Sequence, residues 1–129
     1  MLPTFLIEDG IRREDGFSAA LDVSAESSRV MLLTLGITRI IEQESLDLGI
    51  WGSPDGSTWG EKPLLTFPQK FYCGAYAMLL DLTSEPDVRY IRAQWKMNRW
   101  GRGAPSALFA FYLVAEVAHV RPMAAAAAV

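Results

Sequence analysis

The stretch VRYIRAQWKMN, residues 88–98, decides the fold class because apolar and polar residues alternate along it. A strand with one buried face and one wet face has this pattern, since successive side chains point to opposite sides of a sheet. A helix instead repeats its apolar residues every three or four positions. The stretch therefore predicts a β-strand. Its apolar positions are Ile91, Ala93, Trp95 and Met97, and its polar positions are Arg92, Gln94, Lys96 and Asn98.

Similar alternation recurs along most of the chain, between turn signals such as Asp-Gly, Ser-Pro and Glu-Pro. The stretch LFAFYLVAEV is apolar on both faces, which predicts a central or covered strand. Closely spaced strands of this kind favour an all-β fold, an antiparallel β-sandwich or jelly roll of about seven to eight strands. A closed barrel produces the same alternation and stays an alternative. The further strand segments are 18–23, 29–38, 45–51, 62–67, 74–82 and 108–117.

The length of 129 residues fits a single domain with a core of its own. Residues 18–120 are the predicted β-sandwich domain, preceded by an N-terminal apolar arm, 1–17, and followed by an alanine-rich C-terminal tail, 121–129. The arm and the tail are predicted to contact a neighbouring molecule, because exposed apolar segments mark interfaces. The large apolar residues of the arm are Met1, Leu2, Phe5, Leu6 and Ile7.

Composition and charge exclude several classes of protein. The net charge of -3 argues against nucleic-acid binding, which requires neutralisation of many phosphates. The longest uncharged runs fall short of the roughly 20 residues of a membrane-spanning helix, so no membrane span is expected. The chain has one cysteine and its first residues do not resemble a signal peptide, which predicts residence in the cytoplasm or within a particle assembly.

Little in the sequence points to chemistry. Cys73 and His119 are the only cysteine and histidine, too few for a zinc site. A Cys–His nucleophilic pair is compatible with their separation, but a buried thiol and a histidine next to the tail are the simpler interpretation. No phosphate-binding or dinucleotide motif is present. The sequence therefore predicts no catalytic residue, no metal and no cofactor.

The stretch GSPDGSTWG, residues 52–60, has the composition of a tight turn, since glycine accepts positive φ and aspartate binds nearby amides. Together with the later RYIR, it resembles discoidin-like domains of the galactose-binding-like superfamily, in which an S-x-D-G-x-x-W turn recurs. The resemblance implies a β-sandwich whose ligands are held by variable loops, and it carries over no ligand residue. Many such domains are secreted and have a terminal disulfide, unlike this chain. The predicted structural turn residues are Ser53, Asp55, Gly56 and Trp59, and the RYIR residues are Arg89, Tyr90, Ile91 and Arg92.

The segment 88–103 has five of the twelve cations of the chain and no acid. Arginine beside tryptophan suits an acidic partner, a sugar or another planar group, whereas a solvated strand paired with neighbouring carboxylates is the alternative. Arg92 and Lys96 are predicted to bind a partner. The candidate ligand-binding residues are Trp51, Arg99, Trp100 and Arg102.

Two functions follow from these patterns. The first is a non-catalytic interaction or assembly protein, a subunit of a homo-oligomer or of a larger complex with a structural or shell role. The second is a carbohydrate-binding module of the discoidin-like type, with a glycan as its ligand.

Overall fold

The computed structural model describes residues 2–101 and 106–118, which form nine strands and, within those ranges, no helix. Three of these strands are only two residues long. The strands are β1 (Thr4–Arg12), β2 (Gly16–Phe17), β3 (Leu21–Asp22), β4 (Val30–Ile40), β5 (Glu44–Ser53), β6 (Leu65–Thr66), β7 (Gly74–Asp81), β8 (Tyr90–Arg99) and β9 (Phe109–Val117).

The strands form two sheets that pack against each other. Sheet A has the order β1-β9-β4-β7, and sheet B has the order β2-β8-β5-β6 with β3 also paired to β8. Every pairing is antiparallel. The pairs β1–β9, β2/β3–β8, β4–β7 and β5–β6 are nested along the chain, as in one long hairpin rolled up into a jelly roll. The predicted antiparallel β-sandwich is confirmed.

The strand that pairs with β8 on the outer side of sheet B is interrupted, so it forms two short strands, β2 and β3. At the interruption, the Ser18 N–H still donates to the Ala93 carbonyl at 2.8 Å, but the Ala93 N–H donates to Ser18 Oγ at 2.9 Å. A side chain thus replaces the main-chain acceptor, and the strand resumes at Leu21. The predicted strand 62–67 shortens to the two residues of β6. Pro63 and Pro68 lie on either side of β6 and have no N–H to donate to a ladder.

The core lies between the sheets and is formed by the alternating positions that the sequence predicts. Strand β9 lies between β1 and β4, which explains why both of its faces are apolar. On β8, Ile91 and Ala93 are fully buried, whereas Trp95 and Met97 are half-buried. The buried inward residues of β4, β5 and β9 are Met31, Leu33, Leu35, Ile37, Leu46, Leu48, Ile50, Phe109, Phe111, Leu113 and Ala115.

The N-terminal segment differs from the predicted arm. Residues 4–12 are strand β1 at one edge of sheet A, and Leu6 and Ile7 belong to the buried core. The physical reason is that β9 requires a partner on each side to satisfy its main-chain groups. Phe5 alone of the three apolar residues 5–7 points outward, and it is 54% exposed. Leu2 packs against the core.

Some sequence-based expectations concern residues outside the described ranges. Met1, Arg102, His119 and the tail 121–129 belong to this group.

Candidate functional site

The turn that follows β5 is held together by its own side chains. Ser53 is fully buried, and its Oγ accepts the N–H groups of Asp55 at 3.2 Å and Gly56 at 2.9 Å. Asp55 Oδ1 accepts the N–H groups of Ser57 and Thr58, both at 2.8 Å. Gly56 has φ of +81°, the left-handed region that favours glycine. These polar contacts are internal to the turn, as a structural role requires.

The turn lowers the pKa of Asp55 from 3.8 to about 2, because the amides of Thr58 and Ser57 and the Ser53 hydroxyl donate to its carboxylate. A depressed folded-state pKa stabilises the fold above the unfolded pKa, and that contribution is lost as the pH falls from 3.8 to about 2. We expect the Asp55 carboxyl carbon to titrate near pH 2 by NMR, with the Ser57 and Thr58 amide shifts following it. Titration near pH 3.8 would contradict the hydrogen-bonded turn, and Asp55→Asn serves to assign the signal.

Trp59 connects this turn to strand β8. The guanidinium of Arg92 contacts two rings, 4.5 Å from the centre of Trp59 and 4.4 Å from that of Phe17. Cation–π contacts of this kind hold the arginine in place. Arg92, predicted to bind a partner, therefore contacts two aromatic rings of its own chain.

The outer surface of sheet B contains a groove of about 610 Å³, here called the Trp51 groove. Its floor is the indole of Trp51, which lies across the strand over Gly49. A Cβ atom at Gly49 would lie 2.8 Å from Cζ3 of the indole, so only glycine leaves the ring this position. The groove is also lined by Phe17, Asp47, Thr66, Gln94 and Lys96.

The Trp51 groove combines an aromatic floor with polar groups of both signs. Asp47 and Lys96 are directly opposite each other on β5 and β8, and Gln94 is opposite Gly49. Asp47 also accepts the Gln69 side-chain amide at 3.2 Å. The structure thus brings together Trp51 and Lys96, which the sequence assigned to different roles. A concave site with a few convergent polar groups is the general form of a small-ligand site.

The other candidate ligand residues lie elsewhere. Trp100 is 56% exposed and meets Phe71 edge to face at 6.3 Å between ring centres, beside a smaller cavity of about 320 Å³. Arg99 Nη1 donates to the Glu42 carbonyl at 3.0 Å. Trp51 and Trp100 therefore do not share one site.

The outer surface of sheet A, here called the apolar face, has one row of uncharged residues across all four strands and a second across β7, β4 and β9. One row is Ala77, Thr34, Val114 and Phe5, and the next is Ala75, Gly36 and Tyr112. On β1, the register shift beside the second row contains Glu8 and Asp9, and Asp9 Oδ1 accepts the Thr38 hydroxyl at 3.4 Å. The Tyr112 ring lies over Gly36 and meets Phe5 edge to face at 6.1 Å. A third row consists of Leu79, which is 53% exposed, with Leu32 and Glu116.

Sequence reasoning missed Glu44 as a buried group. Only 2% of its surface is exposed, and its two carboxylate oxygens accept the N–H of Ile41 at 2.9 Å and the N–H of Leu108 at 2.8 Å. It joins the turn before β5 to the segment before β9. The role of Glu44 is to position these segments.

The described residues show no group of three or more His, Cys, Asp and Glu side chains placed to hold a metal ion. Cys73 is exposed, contrary to the expectation of a buried thiol. It precedes the edge strand β7, whose start is open to solvent. Residues 2–101 and 106–118 contain no helix that is long and apolar enough to cross a membrane.

Comparison of the chain with protein-family models and with curated proteins gives no match.

Proposed function

We propose that this protein is a non-catalytic assembly subunit whose copies associate through the apolar face. The observation that carries the proposal is the row of uncharged side chains across all four strands of sheet A. A sandwich needs only the inner face of each sheet to be apolar, and the outer face is usually polar. A contiguous apolar outer face favours contact with another protein surface.

The arrangement of aromatic side chains also favours a flat contact. Because Gly36 has no side chain, the Tyr112 ring lies along the sheet, and Phe5 packs against its edge. Glu116 lies at the margin of the face, opposite Leu32. Another apolar sheet can cover the row from Ala77 to Phe5 without burying a charge of that row. The contact has to leave Glu8, Asp9 and Glu116 at its rim, because burial of an unpaired charge would be costly.

The experiment compares Phe5→Glu with Phe17→Glu by light scattering behind a sizing column, over a range of protein concentrations. The two phenylalanines are 54% and 63% exposed and lie on opposite sheets, so the variants carry the same change of charge on different surfaces. We expect the wild-type chain and Phe17→Glu to form oligomers and Phe5→Glu to lose at least tenfold in association, about 1.4 kcal/mol.

A wild-type chain that stays monomeric at all concentrations would overturn the proposal. Equal association of Phe5→Glu and wild type would exclude the apolar face as the contact. Unfolding curves of both variants test that neither substitution disrupts the domain.

A second candidate function is carbohydrate binding at the Trp51 groove. The flat indole over Gly49 offers an apolar surface to the C–H face of a sugar ring, and Asp47, Gln94 and Lys96 offer hydrogen bonds to its hydroxyls. The resemblance of the Ser53–Trp59 turn to discoidin-like domains agrees with this candidate at the level of fold only.

A panel of oligosaccharides tests this candidate through the tryptophan fluorescence of the full chain. We expect a saturable change that is lost in Trp51→Ala and kept in Trp100→Ala, because Trp100 borders a different cavity. The absence of any response across a broad panel, or a response kept in Trp51→Ala, would exclude the Trp51 groove as a glycan site.

A further inference from the structure

Strand β7 is an edge of sheet A, with β4 as its partner within the described residues. Its residues 74–80, GAYAMLL, contain no charge and no proline. Proteins usually protect edge strands with charges, prolines, bulges or shortness, because an open edge pairs with other strands. Strand β7 has none of these devices over seven residues.

The other edges of the two sheets are protected. Strand β1 has register shifts on both sides of Ile7, and it contains Glu8, Asp9 and Arg12. Strand β6 is two residues long between prolines, and β2 and β3 are two residues each. The contrast singles out β7 among the strand edges of the described ranges.

The main-chain groups that β7 offers follow from its pairing with β4. Leu82 N–H donates to the Arg29 carbonyl at 2.8 Å, which fixes the alternation of the antiparallel ladder. Tyr76, Met78 and Leu80 therefore direct their N–H and C=O groups to β4. Ala75, Ala77 and Leu79 direct theirs to the open edge, and all three side chains are exposed on the apolar face.

We propose that β7 pairs with β7 of a second copy of this chain, antiparallel and centred on Ala77. The inference rests on the proposed function, that copies of this chain associate, and it adds a contact along the edge of sheet A to the contact through the apolar face. Ala77 is the midpoint of the uncharged run 74–80, so the two-fold axis at this residue uses the whole run. The pairing joins two copies of sheet A into one eight-stranded sheet and makes the two apolar faces continuous.

The strand is complementary to itself in this register. Ala75 lies opposite Leu79 of the other copy, so a small side chain meets a large one. Ala77 lies opposite its own counterpart. The charge that ends the strand, Asp81, lies opposite the uncharged Cys73 and far from the other Asp81. This self-complementarity favours a second copy over an unrelated strand as the occupant.

The register is tested with single cysteines at 75, 77 and 79 in the full chain carrying Cys73→Ser. In the proposed pairing, the Cα atoms of two copies of residue 77 lie about 5.5 Å apart, within disulfide range. Two copies of residue 79 lie four residues apart along the strand, on the order of 14 Å, which a disulfide does not bridge. Both positions are exposed and belong to the same face of the strand, so the distance from the two-fold axis decides whether a disulfide can form.

Upon mild oxidation, we expect Ala77→Cys to form a covalent dimer, and neither Ala75→Cys nor Leu79→Cys to do so alone. An equimolar mixture of these two variants should form the mixed dimer, because 75 and 79 face each other. Non-reducing gels and intact mass measure both results. Oligomers without this pattern would overturn the β7 pairing and leave the proposed function intact, whereas a wild-type monomer would overturn both.

A second variant makes the test independent of disulfide chemistry. Ala77→Lys places two like charges opposite each other at the two-fold axis. In the Phe5→Glu background, which weakens the contact through the apolar face, we expect it to lose the remaining dimer in light scattering, while Ala25→Lys, at an exposed alanine outside the strands, keeps it. A dimer that persists in the Phe5→Glu/Ala77→Lys double variant would contradict the proposed pairing.

Discussion

The Phe111→Ala variant is expected to lose about 4 kcal/mol of unfolding free energy, within the usual range for removal of a buried aromatic ring. Phe111 is fully buried on β9, and its ring meets Trp95 edge to face at 5.5 Å between centres. The Arg12 guanidinium lies 4.9 Å from the same ring centre. The substitution therefore opens a cavity and also removes the surface that orients Arg12.

Arg12 adds to the expected loss of unfolding free energy because one of its three hydrogen bonds joins β1 to β9. Its Nη1 donates to the carbonyls of Gly10 at 3.0 Å and Phe111 at 3.1 Å, and its Nη2 donates to that of Glu8 at 2.8 Å. Urea unfolding measures the loss, and Phe111→Leu is the control, with an expected cost of about 1 kcal/mol because it fills most of the volume. A loss below about 2 kcal/mol for Phe111→Ala would mean that the site collapses around the cavity.

The Glu44→Ala variant is expected to lose about 3 kcal/mol, because two N–H groups lose a charged acceptor in a buried site. The Leu108 amide is the more affected of the two, since this hydrogen bond is buried. Glu44→Gln should lose roughly half as much, because the amide keeps one acceptor oxygen for one of the two donors.

Urea unfolding and hydrogen exchange at the Leu108 amide test the role of Glu44. The control is Glu42→Ala, at an exposed glutamate two residues away, which should change stability by no more than about 0.5 kcal/mol. If Glu44→Ala and Glu42→Ala unfold at the same urea concentration, the carboxylate of Glu44 does not stabilise the segments that it joins.

The long strands of the sandwich were predictable from sequence because alternation is a local signal. Residues 88–98 show it, and the structure places β8 there. Strand β1 was not predicted. Its register shifts around Ile7 interrupt the period of two, so residues 5–7 look like a continuous apolar run typical of an arm.

The candidate surfaces were less predictable, because they depend on contacts between distant parts of the chain. Glu44 meets Leu108 across 64 residues, and no local pattern indicates a buried carboxylate there. Phe17 of β2 and Trp59 of the turn after β5 both contact Arg92 of β8. The sequence predicts that Arg92 binds a partner, and its contacts with the two rings could be found only from the order of the strands in sheet B.

The nested pairing of the strands has a consequence for the order in which the domain folds. Strand β9 is the inner partner of both β1 and β4, and Thr4 pairs with Ala115 at the far end of the described chain. Such distant contacts give a high contact order, for which folding takes milliseconds to seconds. During synthesis, sheet A lacks an inner strand until residues 109–117 emerge from the ribosome. Until then, the edges of β1 and β4 that pair with β9 are open, and chaperones can bind them.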